Sequence, residues 1–183
     1  MATRSKPRSR KIGKRPDADF VRSILSYNRQ TGVLRWKRRN DISKSNSAKH
    51  AGKRAGTRDS KGHRQIVIHD VAYMAHQLAW LIVTGQWPFY EIDHKNVKPD
   101  DNRWCNLRPA TDTQNKCNEK IRKNSTTGKK GVSIRKNRPS PFVARITLHG
   151  KTYDLGRYKT REKAHAAYRK AAKKLHGNFA RFA

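Results

Sequence analysis

The chain has 183 residues, with 44 Lys and Arg against 13 Asp and Glu, a formal net charge of +31. Such a charge repels itself and marks a protein that meets a polyanion, with phosphate the first candidate. The polybasic amphipathic helix or lipid anchor of a membrane-surface protein is missing, as is any apolar run near the roughly 20 residues of a membrane span.

Residues 1–15, MATRSKPRSRKIGKR, form a basic arm without the apolar stretch of a secretory signal. A soluble protein acting in the cytoplasm is therefore expected. Cys105 and Cys117 show no C-x-x-C spacing and read as reduced thiols. With 34% hydrophobic and 8% aromatic residues, the chain suits small cores, and its clustered aromatics suggest two of them.

In chain order, a helix is expected from near Asp17, capped by Asp17 or Asp19 and carrying Phe20, Val21, Ile24 and Leu25 at helical spacing. YNRQTGVLRWK (27–37) reads as a turn at Gly32 into a strand. Residues 38–62 read as polar loop or hairpin, and 64–69 as a strand. The most apolar element is a helix from about Tyr73 to Thr84, stopped by Gly85. Next come a strand at Ile92–His94, a polar loop, a strand at Leu107–Thr111 and a helix opening at Asp112 or Thr113, a ββα arrangement. Residues 122–130 read as linker. Beyond it lie three strands, in GVSIRKN, PFVARITLHG and KTYDLGRY, and a helix from Thr160 to Gly177 with the buried stripe Ala164, Ala167, Tyr168, Ala171, Ala172 and Leu175. The fold class expected is α+β, with boundaries at 1–15 (arm), 16–121 (first domain), 122–130 (linker) and 131–183 (a three-stranded antiparallel sheet packed on one helix).

The chemistry concentrates in residues 91–120. Hydrolysing a phosphodiester needs a base for water, a cation for the charge on phosphate and leaving oxygen, and a rigid frame. His94 is the candidate base, because imidazole titrates near neutral pH. Asp93 and Asn115 offer hard oxygens that suit magnesium. Neighbours on a strand point to opposite faces, so Asp93 and His94 act from different sides. Asn106 is the candidate for holding the loop and so orienting His94. A plain Asn-rich turn region is the bland alternative.

YNRQTGVLRWKRR, AHQLAWLIVTGQWP, IDHKN, DDNRWCNLRPAT and TQNKCN, spanning about Asp19 to Asn118, resemble the HNH endonucleases of phages and mobile introns. The resemblance implies a ββα-metal nuclease domain using Mg2+ or Mn2+. It implies Asp93 and Asn115 as metal ligands, His94 as general base and Asn106 as the loop-fixing residue. It also implies His76 as a packing residue behind the site. Asn115 stands where the signature often has His. Residues 127–182 resemble the plant ethylene-response-factor (apetala-type) DNA-binding domain. That resemblance implies a sheet face touching duplex DNA through Arg135, Lys136, Arg145, Tyr153 and Arg157, although Phe142 replaces the usual Trp. The remaining His residues, His63 among them, carry no expected role.

The reading that results is a metal-dependent endonuclease of homing type on double-stranded DNA, nicking one strand as a monomer or weak dimer. Its rival is a sequence-specific DNA-binding regulator without nuclease activity; RNA binding or chromosome compaction follows from charge alone. All of them need phosphate contacts. If about eight phosphates are neutralised, log affinity for duplex DNA should fall with log salt at a slope of about −7, at roughly −0.9 per phosphate. A slope near zero in a salt titration of binding would show that the charge is not used on DNA.

Overall fold

The computed structural model describes residues 15–121, 124–148 and 150–182. The basic arm up to residue 14, His149 and part of the expected linker, residues 122 and 123, lie outside them. The described chain mixes helix and sheet, and its buried apolar residues form one larger group within 18–107 and two small ones within 132–172.

Helix α1 (Ala18–Ile24) is capped by Asp17, whose carboxylate accepts from Phe20 N at 2.8 Å. It buries Val21 and Ile24 and leads into the hairpin of β1 (Leu25–Tyr27) and β2 (Leu34–Trp36). A second sheet has the order β3 (Thr57–Arg58), β4 (Arg64–Ile68), β5 (Val71–Met74). Helix α3 (Ala75–Thr84) follows and buries Leu78 and Leu81 against Val21, Leu25, Leu34 and Ile66.

Two elements differ from the sequence expectation. The helix expected from Tyr73 begins at Ala75, because residues 71–74 pair with β4, Ile68 opposite Val71 and Gln65 opposite Met74. The two-residue turn, His69 and Asp70, has φ of 48° and 62°, the primed-turn geometry that matches strand twist. Within the expected loop 38–62 lies a short helix, α2 (Lys44–His50), capped by Ser43. Its residues are polar and carry no apolar period; its buried anchor is Ser47, whose hydroxyl accepts from Arg39 N at 2.6 Å.

The ββα portion comprises β6 (Glu91–His94), β7 (Leu107–Ala110) and α4 (Asp112–Asn118). The strands pair antiparallel, with Asp93 opposite Arg108 and His94 opposite Leu107. Helix α4 opens with a capping box: Thr111 accepts from Gln114 N while the Gln114 side chain accepts from Thr111 N.

Beyond it, β8 (Val132–Ile134), β9 (Phe142–Leu148) and β10 (Lys151–Tyr158) form a sheet ordered β10-β9-β8, with α5 (Arg161–His176) contacting all three strands. Ala144, Ile146, Ala164, Tyr168 and Ala172 are buried between sheet and helix, whereas Leu175, expected in the buried stripe, is exposed. Thr127 and Lys130, from the expected linker, are engaged: the Thr127 hydroxyl donates to Val132 O at 2.9 Å, and Lys130 Nζ donates to the carbonyls of Cys117 and Glu119 at 2.7 Å.

The β1–β2 hairpin does more than fill the core. The Tyr27 hydroxyl donates to Asn102 O at 2.7 Å, and Trp104 N donates to Arg29 O at 3.0 Å. Gly32, with φ of 72°, sits so close that a Cβ there would lie 2.4 Å from Arg103 N and from the Asn102 carbonyl carbon. Gly32→Ala combines backbone strain with overpacking and should cost about 3 kcal/mol, read as a shift in the denaturant midpoint. An unchanged midpoint would mean that the hairpin and the 95–106 loop are not locked together.

Candidate active site

The loop from 95 to 106 is held from three sides. Asp100 gathers Arg54, Arg58 and Arg64, with its closest contacts at 2.8 Å to Arg58 Nε and 2.9 Å to Arg64 Nε. Asn106 is buried inside the loop. Its Nδ2 donates to Asn96 Oδ1 at 3.0 Å and to Asp101 O at 2.7 Å, and its Oδ1 accepts from Asn96 N at 3.0 Å. Asp101 is itself paired with Arg103 at 2.7 Å, which lowers its carboxyl to about 2.

This frame carries Asn102, whose Oδ1 lies 3.0 Å from His94 Nε2. A carbonyl oxygen can only accept, so Nε2 carries the proton and the lone pair of His94 resides on Nδ1. Burial pulls the His94 pKa below the usual imidazole value; the Asn102 hydrogen bond opposes this and nearby His63 adds to it. His94 is therefore a neutral imidazole at pH 7.

Asp93 is only 5% exposed. Its Oδ2 accepts from Arg108 Nε at 2.9 Å and lies 2.8 Å from Arg108 Nη2, while Asn118 Nδ2 donates to both carboxylate oxygens at 2.9 and 3.0 Å and to His94 O at 2.9 Å. Arg108 reaches further still: its Nη1 donates to Asn178 O at 2.7 Å, and its guanidinium lies 3.6 Å from the centre of the Phe179 ring. The 3-10 turn Gly177–Phe179 after α5 is thus tied to the Asp93 cluster.

Asn115 donates Nδ2 to Glu91 Oε2. A carboxylate demands the NH2 end of the amide, so Asn115 Oδ1 is the end left for another partner. The structure therefore brings Asn118, not Asn115, into direct contact with Asp93. Asp93 and Asn115 nevertheless border one cavity of about 120 Å³, walled also by His63, His94, Val97 and Pro99. Asp93 and Asn115 supply hard-oxygen donors there. Among the described residues no three His, Cys, Asp or Glu side chains converge on one point, so a cation would rest on mixed oxygen ligands with a substrate phosphate completing its shell.

His76 lies behind His94, ring centroids 5.1 Å apart and nearly perpendicular. Burial, reinforced by His94 and His63, lowers its pKa to about 3. His63, assigned no role from sequence, faces the same cluster, 6.1 Å from His94 and 5.9 Å from His76 between ring centroids. Arg108, Asn118, Asn102, His63 and Glu91 all escaped the sequence reading; the pairing of Asp93 with Arg108 across β6–β7 was implicit in the two strands.

A family model described as HNH endonuclease matches residues 73–117, which contain α3, both strands and most of α4. The chain is also 34% identical over 108 residues to Protein 3.8 of Escherichia phage T7, an alignment covering 58% of this chain and 88% of that protein. The chain belongs to the same family as that phage protein and carries an HNH endonuclease domain at residues 73–117. No solved structure matches it. Asp93, His94, Asn106 and Asn115 all fall within the HNH match.

Outside this HNH segment, strand register sorts the expected DNA contacts. Arg145 pairs with Asp154 and Arg157 with Val143, so Arg145, Val143 and Arg157 share one face. Tyr153 pairs with Ile146, whose side chain is buried against α5, and so belongs to the opposite face from Arg145. Arg135 and Lys136 are exposed just after β8. A cleft of about 570 Å³ between the end of α4 and this sheet is bordered by Lys116, Lys120, Lys129, Lys130 and Arg145. Among the described residues no helix is long and apolar enough to cross a membrane.

Two outcomes follow from the buried charges. Arg108→Ala would strand the Asp93 carboxylate with only Asn118, and should destabilise the fold by about 3–5 kcal/mol, read by denaturant unfolding. A loss below 1 kcal/mol would show that the pair is not closed in solution. His76 keeps a folded pKa near 3, while the unfolded chain binds its proton near 6.5. Between those values the unfolded state holds more protons, so stability is lost as pH falls from about 6.5 toward 3, by up to about 1.4 kcal/mol per pH unit. His76→Phe should flatten that part of the stability profile; the same slope in both proteins would contradict the assignment.

Proposed function

We propose that this HNH protein is a metal-dependent endonuclease that nicks double-stranded DNA. The observation that carries this reading is the state of His94: a neutral imidazole with Nε2–H given to Asn102 and Nδ1 left as a base, in a cavity shared with the oxygens of Asp93 and Asn115. In hydrolysis His94 Nδ1 takes the proton of the attacking water as its oxygen bonds to phosphorus, and the P–O3′ bond breaks. A Mg2+ or Mn2+ ion bound by Asp93 and Asn115 would supply Lewis-acid stabilisation of the phosphate and leaving oxygen. Asn106 holds the loop that carries Asn102 and so sets the ring of His94. His76 packs behind it.

The second module of the proposal is the C-terminal sheet and helix, residues 131–183, following the linker 122–130. Arg135, Lys136, Arg145 and Arg157 would carry its contacts to the duplex, with Tyr153 exposed on the opposite face of the sheet. Resemblance to the ethylene-response-factor domain and the charge of +31 support this reading. A homing or mobile role in a phage-infected cell rests on resemblance and on the T7 relative. One site per chain accords with a monomer or weak dimer that cuts one strand per encounter. The rival regulator reading has no use for a base and two oxygen donors gathered in one cavity.

Supercoiled plasmid incubated with the protein and Mg2+ or Mn2+ should relax to the open circle. His94→Ala should slow this at least a hundredfold, the lower end of the range for loss of a general base. The wild-type rate should be level above pH 7 and fall only below the ordinary imidazole range, because the His94 pKa is depressed. Equal relaxation by His94→Ala, or none by wild type, would return the protein to the regulator class.

A further inference from the structure

Between Gly85, which ends α3, and the start of β6 the chain runs Gln86-Trp87-Pro88-Phe89-Tyr90. Both ends of this segment are anchored. Trp87 Nε1 donates to Pro16 O at 2.9 Å and its ring packs on Tyr73 with centroids 5.5 Å apart. At the other end Glu91 accepts from Asn115, a wall of the catalytic cavity. Pro88 restricts φ between the anchors.

The tip points two aromatics at water. Phe89 is 93% exposed and Tyr90 52%, and their rings meet edge to face at 5.0 Å and 86°. Among the described large apolar residues the next most exposed is Val67 at 55%. A Phe side chain left in water forgoes the favourable burial of its apolar surface, so a held, projecting Phe beside an exposed Tyr fits a surface completed by a partner.

Charge and position name that partner. The chain carries +31, and Phe89 stands four residues before Asp93, at most about 13 Å along a strand at 3.3 Å per residue, or about four base steps. Asp93 and His94 are only 5% and 6% exposed and line a small cavity, so a phosphate must enter that cavity to meet them. A kink would push one phosphate outward into the cavity. Phe is among the side chains that kink DNA by entering a base step.

We propose that Phe89 is a wedge that inserts between adjacent base pairs beside the scissile phosphate, with Tyr90 as its edge-on buttress. This rests on the nuclease reading above. Because the loop is anchored at both ends, insertion requires little ordering on binding. The ring unstacks a step, the backbone bends there, and the neighbouring phosphate moves toward His94 and Asp93.

The test needs no knowledge of a target site. Closed circular plasmid is relaxed by a metal-independent topoisomerase in the presence of wild type in EDTA or of His94→Ala, then freed of protein and resolved into topoisomers. Wedge insertion should lower the linking number in proportion to bound protein. Adding Phe89→Ala at equal occupancy should remove at least three quarters of that shift, Phe89→Trp should retain it, and duplex affinity should change by less than about fivefold. With metal present, Phe89→Ala should nick at least tenfold more slowly at saturating protein while its thermal unfolding is unchanged. An equal topoisomer shift with and without Phe89, or equal nicking rates, would overturn the wedge and leave the nuclease reading standing. Failure of wild type to nick, with the Phe89-dependent shift intact, would remove the nuclease reading and keep the wedge as a feature of DNA binding.

Discussion

A single buried carboxylate organises the centre of this protein. Asp93 draws Arg108 from the partner strand and Asn118 from the end of α4, and Asn118 also reaches the carbonyl of His94. A buried carboxylate left without donors would be costly, so the β6–β7 pair and α4 are obliged to close around it. The same constraint extends past the HNH segment, because Arg108 is also clasped by Asn178 O and the ring of Phe179. The C-terminal turn and the Asp93 cluster thereby share one guanidinium.

His94 depends on a different frame. Asp100 with its three arginines, Asn106 with its bonds across the loop, and the Tyr27 hydroxyl on Asn102 O fix the backbone from which Asn102 meets Nε2. Each of these ties comes from a different part of the chain. Burial keeps His94 and His76 neutral, so the base proposed at His94 would need no proton removed from it. His94 and His76 thus stay uncharged in a protein that is otherwise strongly cationic.

Much of the local structure was legible in the sequence because strong signals coincide there. Asp17 and Thr160 cap helices where expected, and residues 91–118 form two strands and a helix in the expected order. Helix α2 was not legible, since it lacks an apolar period, nor was the hairpin at His69-Asp70, whose positive φ values fall on residues other than the usual Asn-Gly pair. In the site, Asn115 and Asn118 are one helical turn apart and have the same chemistry; only the phase of α4 decides which of them meets Asp93. The arginines on Asp100 were hidden for another reason. Among 44 basic residues, nothing local distinguishes Arg54, Arg58 and Arg64 from those facing water, and their pairing depends on tertiary contact across 36 to 46 positions.

The geometry around Asp93 also bears on how a metal ion would enter. Both carboxylate oxygens are already engaged by Asn118 and Arg108, and Asn115 adds only a neutral oxygen. Two ligands carrying one formal charge, with a guanidinium beside them, make a weak site for a cation that holds its waters firmly. A DNA phosphate would both complete the shell and offer Arg108 another anion. Metal and DNA should therefore bind cooperatively. The direct test is calorimetric titration of magnesium into the DNA-free protein and into its complex with duplex in the His94→Ala background. The account predicts weak binding without DNA, and with DNA a tighter component that Asp93→Ala removes. Tight stoichiometric binding to the free protein at micromolar magnesium, lost in Asp93→Ala, would contradict it.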